Sequence, residues 1–191
     1  MDNSTDIVLI FQFASDLLGT EDMKMVVLSD EGNTRQFIMI CDAATVREIS
    51  LRQHHVPIKD LLLPEVLYRI IQAEGEHDFY LVIDELNNGQ YRAKLIDNIK
   101  HLTHTLRASD ALLFSLISGI PLHINQKLFM LQSSPFAPGG DRVGVPLNSL
   151  NIPMLEKALK EAVDLEEYDM ASFIRDELKR RKENNDMPKE L

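Results

Sequence analysis

Apolar runs of strand length alternate with polar turns over the first forty residues. Residues 6–13 and 23–29 are two such runs, and the turn-forming tetrapeptide Asp-Glu-Gly-Asn leads into a third run at 34–40. Short apolar runs bounded by turn residues are typical of strands, so the second and third runs predict a hairpin. Asp42 follows the third run, and its side chain is suited to cap a helix that ends near Gln53.

The next predicted element is a helix that begins close to a proline. Pro64 fits its first turn, because a proline deeper in a helix removes a backbone donor and clashes with the preceding turn. Gly75 is a natural stop. The helical spacing is carried by four apolar residues, Val66, Leu67, Ile70 and Ile71. Lys59 and Asp60 therefore lie just before this helix or in a distorted start of it.

A second hairpin and a further strand follow. Residues 79–86 and 90–97 are strand-like runs around the turn Asn87-Asn88-Gly89, which makes this the clearest hairpin pattern in the chain. Residues 100–106 alternate between polar and apolar positions, which predicts another strand.

The stretch from Ser109 to Ser118 predicts a helix whose two ends are both marked. Ser109 is suited to cap the first turn, and Asp110 lies where the helix dipole favours a carboxylate. Gly119 suits the left-handed residue that often follows the last turn. Because the residues in between are apolar or small on every side, we expect a buried helix, followed by a short strand at 122–124.

Arg107 and Asp110 are two charged residues at the start of this predicted buried helix. One interpretation is structural, an N-terminal cap with a nearby salt bridge. The other interpretation is a functional site at the mouth of the helix. Composition and spacing leave both open.

The composition changes in the last third of the chain. Residues 132–150 are rich in Ser, Pro and Gly and predict a linker. The strand, hairpin and helix patterns of residues 1–131 predict an α+β domain, a mixed sheet with packed helices. After the linker, two apolar stripes at helical spacing predict an antiparallel helical hairpin over residues 151–184, with a cap at Asn151 and a disordered tail at 185–191.

The predicted hairpin needs a surface to pack against. Its few apolar side chains do not offset the entropy lost when two helices are ordered in water. That surface is the main domain of the same chain, a second copy of the hairpin, or another protein.

Charge and cysteine content narrow the function classes. The chain has 191 residues and a net charge of −10. Proteins that bind the phosphates of nucleic acids present a basic surface. Nucleic acid is therefore disfavoured as a partner, except at a local basic patch. No apolar run approaches the roughly 20 residues that span a bilayer, and no leader pattern is present. Cys41 is the single cysteine, which excludes an intrachain disulfide. We therefore expect a cytoplasmic protein with no membrane segment.

Residues 155–181 are similar to a UVR motif. The similarity is carried by Glu-Ala-Val at 161–163, Glu-Glu-Tyr-Asp-Met-Ala at 166–171 and Ile-Arg-Asp-Glu-Leu at 174–178. The motif is a short helical hairpin that mediates subunit contact in bacterial excision-repair proteins and occurs in several stress-related adaptors. The resemblance implies a bacterial protein with a protein-binding hairpin.

Residues 23–134 resemble the bifunctional nuclease (BFN) family. The resemblance rests on the order of the elements, on Arg-Ala-Ser-Asp-Ala at 107–111 and on Gly-Ile-Pro-Leu at 119–122. The family has Arg-Pro-Ser-Asp-Ala and Gly-Ala-Pro-Ile at these places, and its members are described as cleaving both DNA and RNA on an α+β fold. A domain of this family and a UVR motif are known to occur together on one chain, which agrees with both resemblances.

The chain departs from the family pattern at three places. Ile-Lys-Asp stands at 58–60, where the family has Thr-His-Asp. Ala44 replaces a glutamate before the first helix, and Ala108 replaces the proline between the arginine and the serine. A histidine and a glutamate of the family pattern are therefore missing.

The positions that remain imply a site for phosphodiester hydrolysis. The catalytic candidates implied by the resemblance are Asp60, Arg107, Ser109 and Asp110. Lys59, which replaces the histidine of the family pattern, is a further candidate because its charge suits an electrostatic contact to phosphate. If Asp60 and Asp110 converge, they would hold Mg²⁺ or Mn²⁺ while Arg107 faces a phosphate. A metal held by carboxylates activates water and compensates the charge of the transition state.

Two functions follow from these resemblances. The first is a metal-dependent nuclease that hydrolyses DNA or RNA. The second is a catalytically silent adaptor on the same fold, which acts through residues 151–184 on a protein partner or on a second copy in a homo-oligomer. Binding of a small nucleotide in the same pocket is a third hypothesis.

Overall fold

The computed structural model describes residues 5–16, 22–54, 56–138 and 145–186. They fall into two compact units. The first unit comprises Met1–Glu85 and Tyr91–Val143, and the second comprises Leu86–Gln90 and Gly144–Leu191.

A mixed sheet dominates the first unit. Its strands are β1 (Ile7–Asp16), β2 (Met23–Ser29), β3 (Arg35–Asp42), β4 (Phe79–Asn87), β5 (Gln90–Asp97), β6 (Leu102–Arg107), β7 (Leu122–Ile124) and β8 (Ser133–Pro135). They lie in the order β6-β5-β4-β7-β1-β2-β3-β8. β4 and β7 pair in parallel, whereas β1 with β2, β2 with β3 and β5 with β6 pair antiparallel. The predicted mixed sheet is therefore confirmed.

Six α-helices lie in the described part of the chain. They are α1 (Ala43–Gln53), α2 (Leu63–Ala73), α3 (Ala108–Ser118), α4 (Gln126–Gln132), α5 (Ile152–Asp164) and α6 (Tyr168–Asp186). Short 3₁₀ helices occupy Pro57–Leu61 and Leu147–Ser149. No helix among the described residues has the length and apolar character needed to cross a membrane.

The core of the first unit surrounds β2 and β3. Val26, Val27 and Leu28 are consecutive in β2 and all fully buried. Because successive residues of a strand point to opposite faces, both faces of the sheet are covered at this point. Phe37 and Ile38 of β3 are buried in the same way. The continuous apolar runs of the sequence thus match strands with two covered faces.

Helix ends follow local sequence at two of the predicted positions. Asp42 caps α1, where its carboxylate accepts the backbone N–H of Thr45 at 2.7 Å. Gly119 ends α3 in the left-handed conformation with φ of 76°, which a side chain would disfavour.

The predicted cap at Ser109 is wrong. α3 begins at Ala108, one residue earlier, and Arg107 with extended backbone occupies the cap position. Ser109 lies inside the first turn and is buried. The side chain of Arg107 binds the carboxylate of Asp110 in this first turn, which holds the start of the helix without a serine cap.

The prediction that α3 is buried on all sides is wrong. Its buried residues are Ala108, Ser109, Ala111 and Leu112, all in its first half, where the side chain of Asp110 is nevertheless 39 % exposed. Residues 113–118 are partly exposed, because α2 covers this part of α3 incompletely and leaves an apolar groove.

The sheet extends into the segment predicted as a linker. β8 pairs antiparallel with β3, and the guanidinium of Arg35 donates to the hydroxyl and the carbonyl oxygen of Ser133, both at 2.7 Å. α4, capped by Asn125, precedes this strand and has no counterpart among the predicted elements. The irregular part of the linker therefore begins after Pro135, and residues 139–144 lie outside the described residues.

The second unit contains the two helices predicted for the C-terminal segment. Asn151 caps α5 by accepting the backbone N–H of Met154 at 3.0 Å. Lys182 near the end of α6 lies 3.8 Å from Glu156 near the start of α5, so the helices are antiparallel. The buried stripe between them consists of Leu155, Ala162, Ala171, Ile174 and Leu178. Residues 185–186 of the predicted tail belong to α6, and 187–191 lie outside the described residues.

A fully buried arginine organises the second unit. Arg181 of α6 donates to the carbonyl oxygens of Leu150 and, at 2.9 Å, Asn148, and to the carboxylate of Glu177 at 2.8 Å. These bonds fix the segment before α5 against α6. Gly89 lies beside the same Leu150 carbonyl with φ of 83°, and a Cβ there would clash with that oxygen.

Replacing Arg181 with alanine is expected to destabilise the second unit by about 3 kcal/mol, because buried carbonyl oxygens lose their donors. Arg180 is a matched control, since it binds the same Glu177 but its side chain is 58 % exposed. Arg180→Ala is expected to cost less than about 1 kcal/mol. Urea unfolding followed by circular dichroism measures both. Equal losses for the two variants would show that the buried bonds contribute nothing beyond the ion pair.

Candidate functional site

Arg107 and Asp110 form a bidentate ion pair where β6 passes into α3. Nε of Arg107 lies 2.7 Å from one carboxylate oxygen of Asp110, and Nη2 lies 2.8 Å from the other. Parallel N–H bonds of this kind hold both side chains in one plane. Asp110 also lies in the first turn of α3, where the free N–H groups favour negative charge. The hydrogen bonds to Asp110 raise the pKa of Arg107 further.

Asp42 is the second carboxylate on the same arginine. Nη1 of Arg107 lies 3.2 Å from Oδ2 of Asp42, which caps α1. Because α1 packs against α3, the first turns of the two helices meet at this arginine. The backbone N–H of Thr45, together with the Arg107 guanidinium, lowers the pKa of Asp42. The carboxylate of Asp42 is therefore ionised near neutral pH.

Cys41 is a buried cysteine close to this cluster. Burial, together with the negative charge of Asp42, raises its pKa to about 12. Because the thiolate is the form that acts as a nucleophile or a metal ligand, burial and a raised pKa favour a structural role for Cys41.

An apolar groove of about 300 Å³ runs beside Asp110, between α2 and α3. Its lining residues are Pro64, Leu67, Tyr68, Ile71, Leu106, Asp110, Leu113, Phe114 and Ile117. Asp110 is the single charged residue in this lining. The groove suits an apolar group better than a phosphate.

Two of the predicted site residues, Arg107 and Asp110, are in direct contact, and Ser109 is buried next to them in α3. Lys59 and Asp60 lie in the 3₁₀ helix before α2, where the carbonyl oxygen of Asp60 accepts Nη2 of Arg69 at 2.8 Å. Neither side chain has a hydrogen bond or ion pair with another described residue, and neither lines the groove.

The two proposed metal ligands, Asp60 and Asp110, have different surroundings in the structure. The carboxylate of Asp110 is bound to Arg107, whereas that of Asp60 is exposed. Among the described residues, no group of three or more His, Cys, Asp or Glu side chains is placed to hold a metal ion. A metal ion at Asp110 would compete with Arg107 for the carboxylate.

Sequence reasoning missed the part that Asp42 plays in this cluster. Its capping of α1 follows from the local sequence, but its pairing with Arg107 joins residues 65 positions apart. No local pattern indicates such a contact. It depends on the way the sheet carries α1 and α3 together.

A second polar pair was also missed, His77 with Asp97. Nδ1 of His77 lies 2.6 Å from Oδ2 of Asp97, and Nε2 of His77 is buried without a hydrogen-bond partner among the described residues. Burial alone would raise the pKa of Asp97. The hydrogen bonds that its carboxylate accepts from His77 and from three backbone N–H groups outweigh the effect of burial, so the pKa is lowered to about 2. His77 borders a cavity of about 410 Å³ beside Phe79 and Tyr68.

No family model and no curated protein matches the chain. The chemistry of the candidate site therefore rests on its own geometry. Two carboxylates surround one guanidinium, and three N–H groups of Arg107 are engaged by them. A guanidinium has five such donors, so two remain for a ligand.

Asp42→Ala is expected to destabilise the first unit by about 1 kcal/mol at pH 7, because the cap of α1 is lost. Asp42→Asn is the matched control, since asparagine caps equally well but carries no charge for Arg107. Folding lowers the pKa of Asp42. The ionised carboxylate therefore stabilises the folded state fully at pH values above the ordinary carboxyl pKa of about 4, and this stabilisation is lost as the pH falls below that value.

Urea unfolding at pH 7 and pH 3 measures these differences. We expect Asp42→Asn to remain within a few tenths of a kcal/mol of the parent at pH 7. An Asp42→Asn loss as large as that of Asp42→Ala would assign the stabilisation to the ion pair instead of the cap.

Proposed function

We propose that the chain is a protein-binding adaptor that acts through the turn end of the α5–α6 hairpin. The observation that carries this proposal is a group of large apolar side chains around the turn, each between 45 % and 69 % exposed. They are Val163, Leu165, Tyr168, Met170 and Phe173. Exposed apolar groups in one place mark interaction surfaces in soluble proteins. The resemblance to the UVR motif supports the same conclusion.

These side chains are separate from the stripe that packs the two helices together. Ala171 and Ile174 face α5 and are buried, whereas Met170 and Phe173, their neighbours in sequence, are exposed. The hairpin therefore keeps its own packing when a partner covers the turn end. Aromatic residues such as Phe173 are the type that carries most of the energy of protein interfaces.

The charge around the turn indicates the chemistry of the partner. Four exposed carboxylates surround the apolar residues, those of Asp164, Glu166, Glu167 and Asp169. A second copy docked turn to turn would bring these like charges together, which disfavours association. The partner we propose is a different protein, with an apolar surface rimmed by lysine or arginine.

The test is a double variant, Leu165→Ala with Phe173→Ala, compared with the parent chain. Partners are captured, identified by mass spectrometry, purified and titrated against each protein by calorimetry. We expect the double variant to bind at least about 30-fold more weakly, which corresponds to about 2 kcal/mol at an interface hot spot. The expected partner also binds more weakly as the salt concentration rises.

The control variant is Lys179→Ala, which changes an exposed residue of α6 away from the turn. It is expected to bind with unchanged affinity. If the double variant binds every purified partner as tightly as the parent chain does, the turn end is not the working surface.

A second candidate function is the metal-dependent nuclease activity of the BFN type, assigned to residues 1–131. One observation favours it: the side chain of Arg107 is 61 % exposed and keeps uncommitted donors beside Asp110. In this proposal Asp60 and Asp110 hold Mg²⁺ or Mn²⁺, Lys59 contacts phosphate and Ser109 supports the first turn of α3.

The nuclease proposal predicts cleavage of single-stranded DNA or RNA with Mg²⁺ or Mn²⁺, and loss of cleavage with EDTA. Asp110→Asn is expected to lower the rate by about 100-fold or more, and Asp164→Asn in the hairpin serves as the matched control. Gel assays with labelled oligonucleotides measure this. Absence of cleavage with either metal removes this function, and cleavage that survives Asp110→Asn removes the proposed site.

The compartment we propose is the cytoplasm. The single cysteine, Cys41, is buried and needs no oxidising environment. A fluorescent fusion of the full chain, viewed in cells, tests the assignment.

A further inference from the structure

β6 is an edge strand of the sheet whose residues are mostly exposed. It stands first in the strand order, and β5 is its neighbour on the inner side. No other described strand pairs with its outer side. Five of its six residues are exposed and the sixth, Leu106, is half-buried, so neither face of the strand is fully covered.

The sequence of β6 lacks the residues that usually prevent an edge strand from pairing with another chain. Proteins blunt edge strands with lysine, proline, bulges or a covering loop. The sequence Leu-Thr-His-Thr-Leu-Arg of β6 contains no proline or lysine, and its one charged residue is Arg107 at the end. Its threonines also favour strand pairing. The free edge is therefore competent to add a strand.

The sequence of this edge is a palindrome. Residues 102–106 read Leu-Thr-His-Thr-Leu in both directions, with His104 at the centre. When two antiparallel copies are centred on His104, every residue faces one of its own kind. Leu102 faces Leu106 of the partner subunit, and Thr103 faces Thr105 of the partner subunit. Leucine–leucine and threonine–threonine pairs stabilise antiparallel strands.

An apolar surface continues from one face of this strand. Leu102, His104 and Leu106 share a face, because alternate residues of a strand point to the same side. Leu106 lines the groove between α2 and α3. On α2, Leu67 and Ile71 line the same groove and remain 47 % and 36 % exposed. A strand added to β6 would extend the sheet beside this groove.

We propose that two copies of this chain associate through antiparallel pairing of β6 with β6, about a two-fold axis at His104. The occupant of the edge is a second copy, because a palindromic strand is complementary to itself and a two-fold interface requires self-complementarity. The two sheets then form one continuous sheet, and the leucine pairs lie beside the grooves. This surface is independent of the hairpin turn proposed to bind a different protein.

The decisive experiment places charges on the two-fold axis. His104→Glu and His104→Lys each put like charges opposite each other, which weakens association of that variant with itself. An equimolar mixture of the two variants puts opposite charges together and restores association. Sedimentation equilibrium of the full chain at pH 8 measures each species, with thermal unfolding to verify that each variant is folded.

We expect the parent chain to be a dimer, each single variant to dissociate at least about tenfold more readily, and the mixture to regain a heterodimer. The variant Phe173→Ala at the hairpin turn is the control and remains dimeric. A monomeric parent chain at high concentration overturns the proposal. So does unchanged dimerisation of both charged variants, or a mixture that stays monomeric.

Discussion

The packing of α1 against α3 is the constraint on which the candidate site depends. α1 follows β3 and α3 follows β6, and these strands lie six positions apart in the sheet order. In a flat sheet that separation would be about 29 Å. Yet Nη1 of Arg107, at the end of β6, lies 3.2 Å from Oδ2 of Asp42, at the end of β3. The sheet must therefore coil strongly, and the meeting of the two helix starts is a product of this coiling.

Elements whose ends are set by neighbouring residues were predictable. Pro64 lies in the first turn of α2, Gly119 ends α3 and Asn151 caps α5, each as its local sequence indicates. Each of these positions acts on backbone groups within about four residues of itself. The strands β2 and β3 were predictable for a related reason, since a continuous apolar run needs two covered faces.

Features set by distant contacts were not predictable. The sequence of β8 is typical of a linker, because its three residues form a strand only by pairing with β3, about 98 positions earlier. Ser109 looks like a cap, but Arg107 takes that position because its guanidinium finds both Asp110 and Asp42. The contact of Arg107 with Asp110 follows from their spacing of three. The convergence of Asp60 on this pair is a prediction from resemblance alone, and no hydrogen bond or ion pair among the described residues joins Asp60 to it.

The contacts of three arginines favour the adaptor function over the nuclease function. Arg52, held by Glu48 and Glu65, and Arg181, held by carbonyl oxygens, are buried and structural. Arg107 is exposed, but a phosphate bound by its two remaining donors would lie close to the carboxylates of Asp42 and Asp110 on the same guanidinium. Repulsion between these like charges opposes phosphate binding. The apolar residues around the hairpin turn can bind a protein without breaking any described contact and without such repulsion.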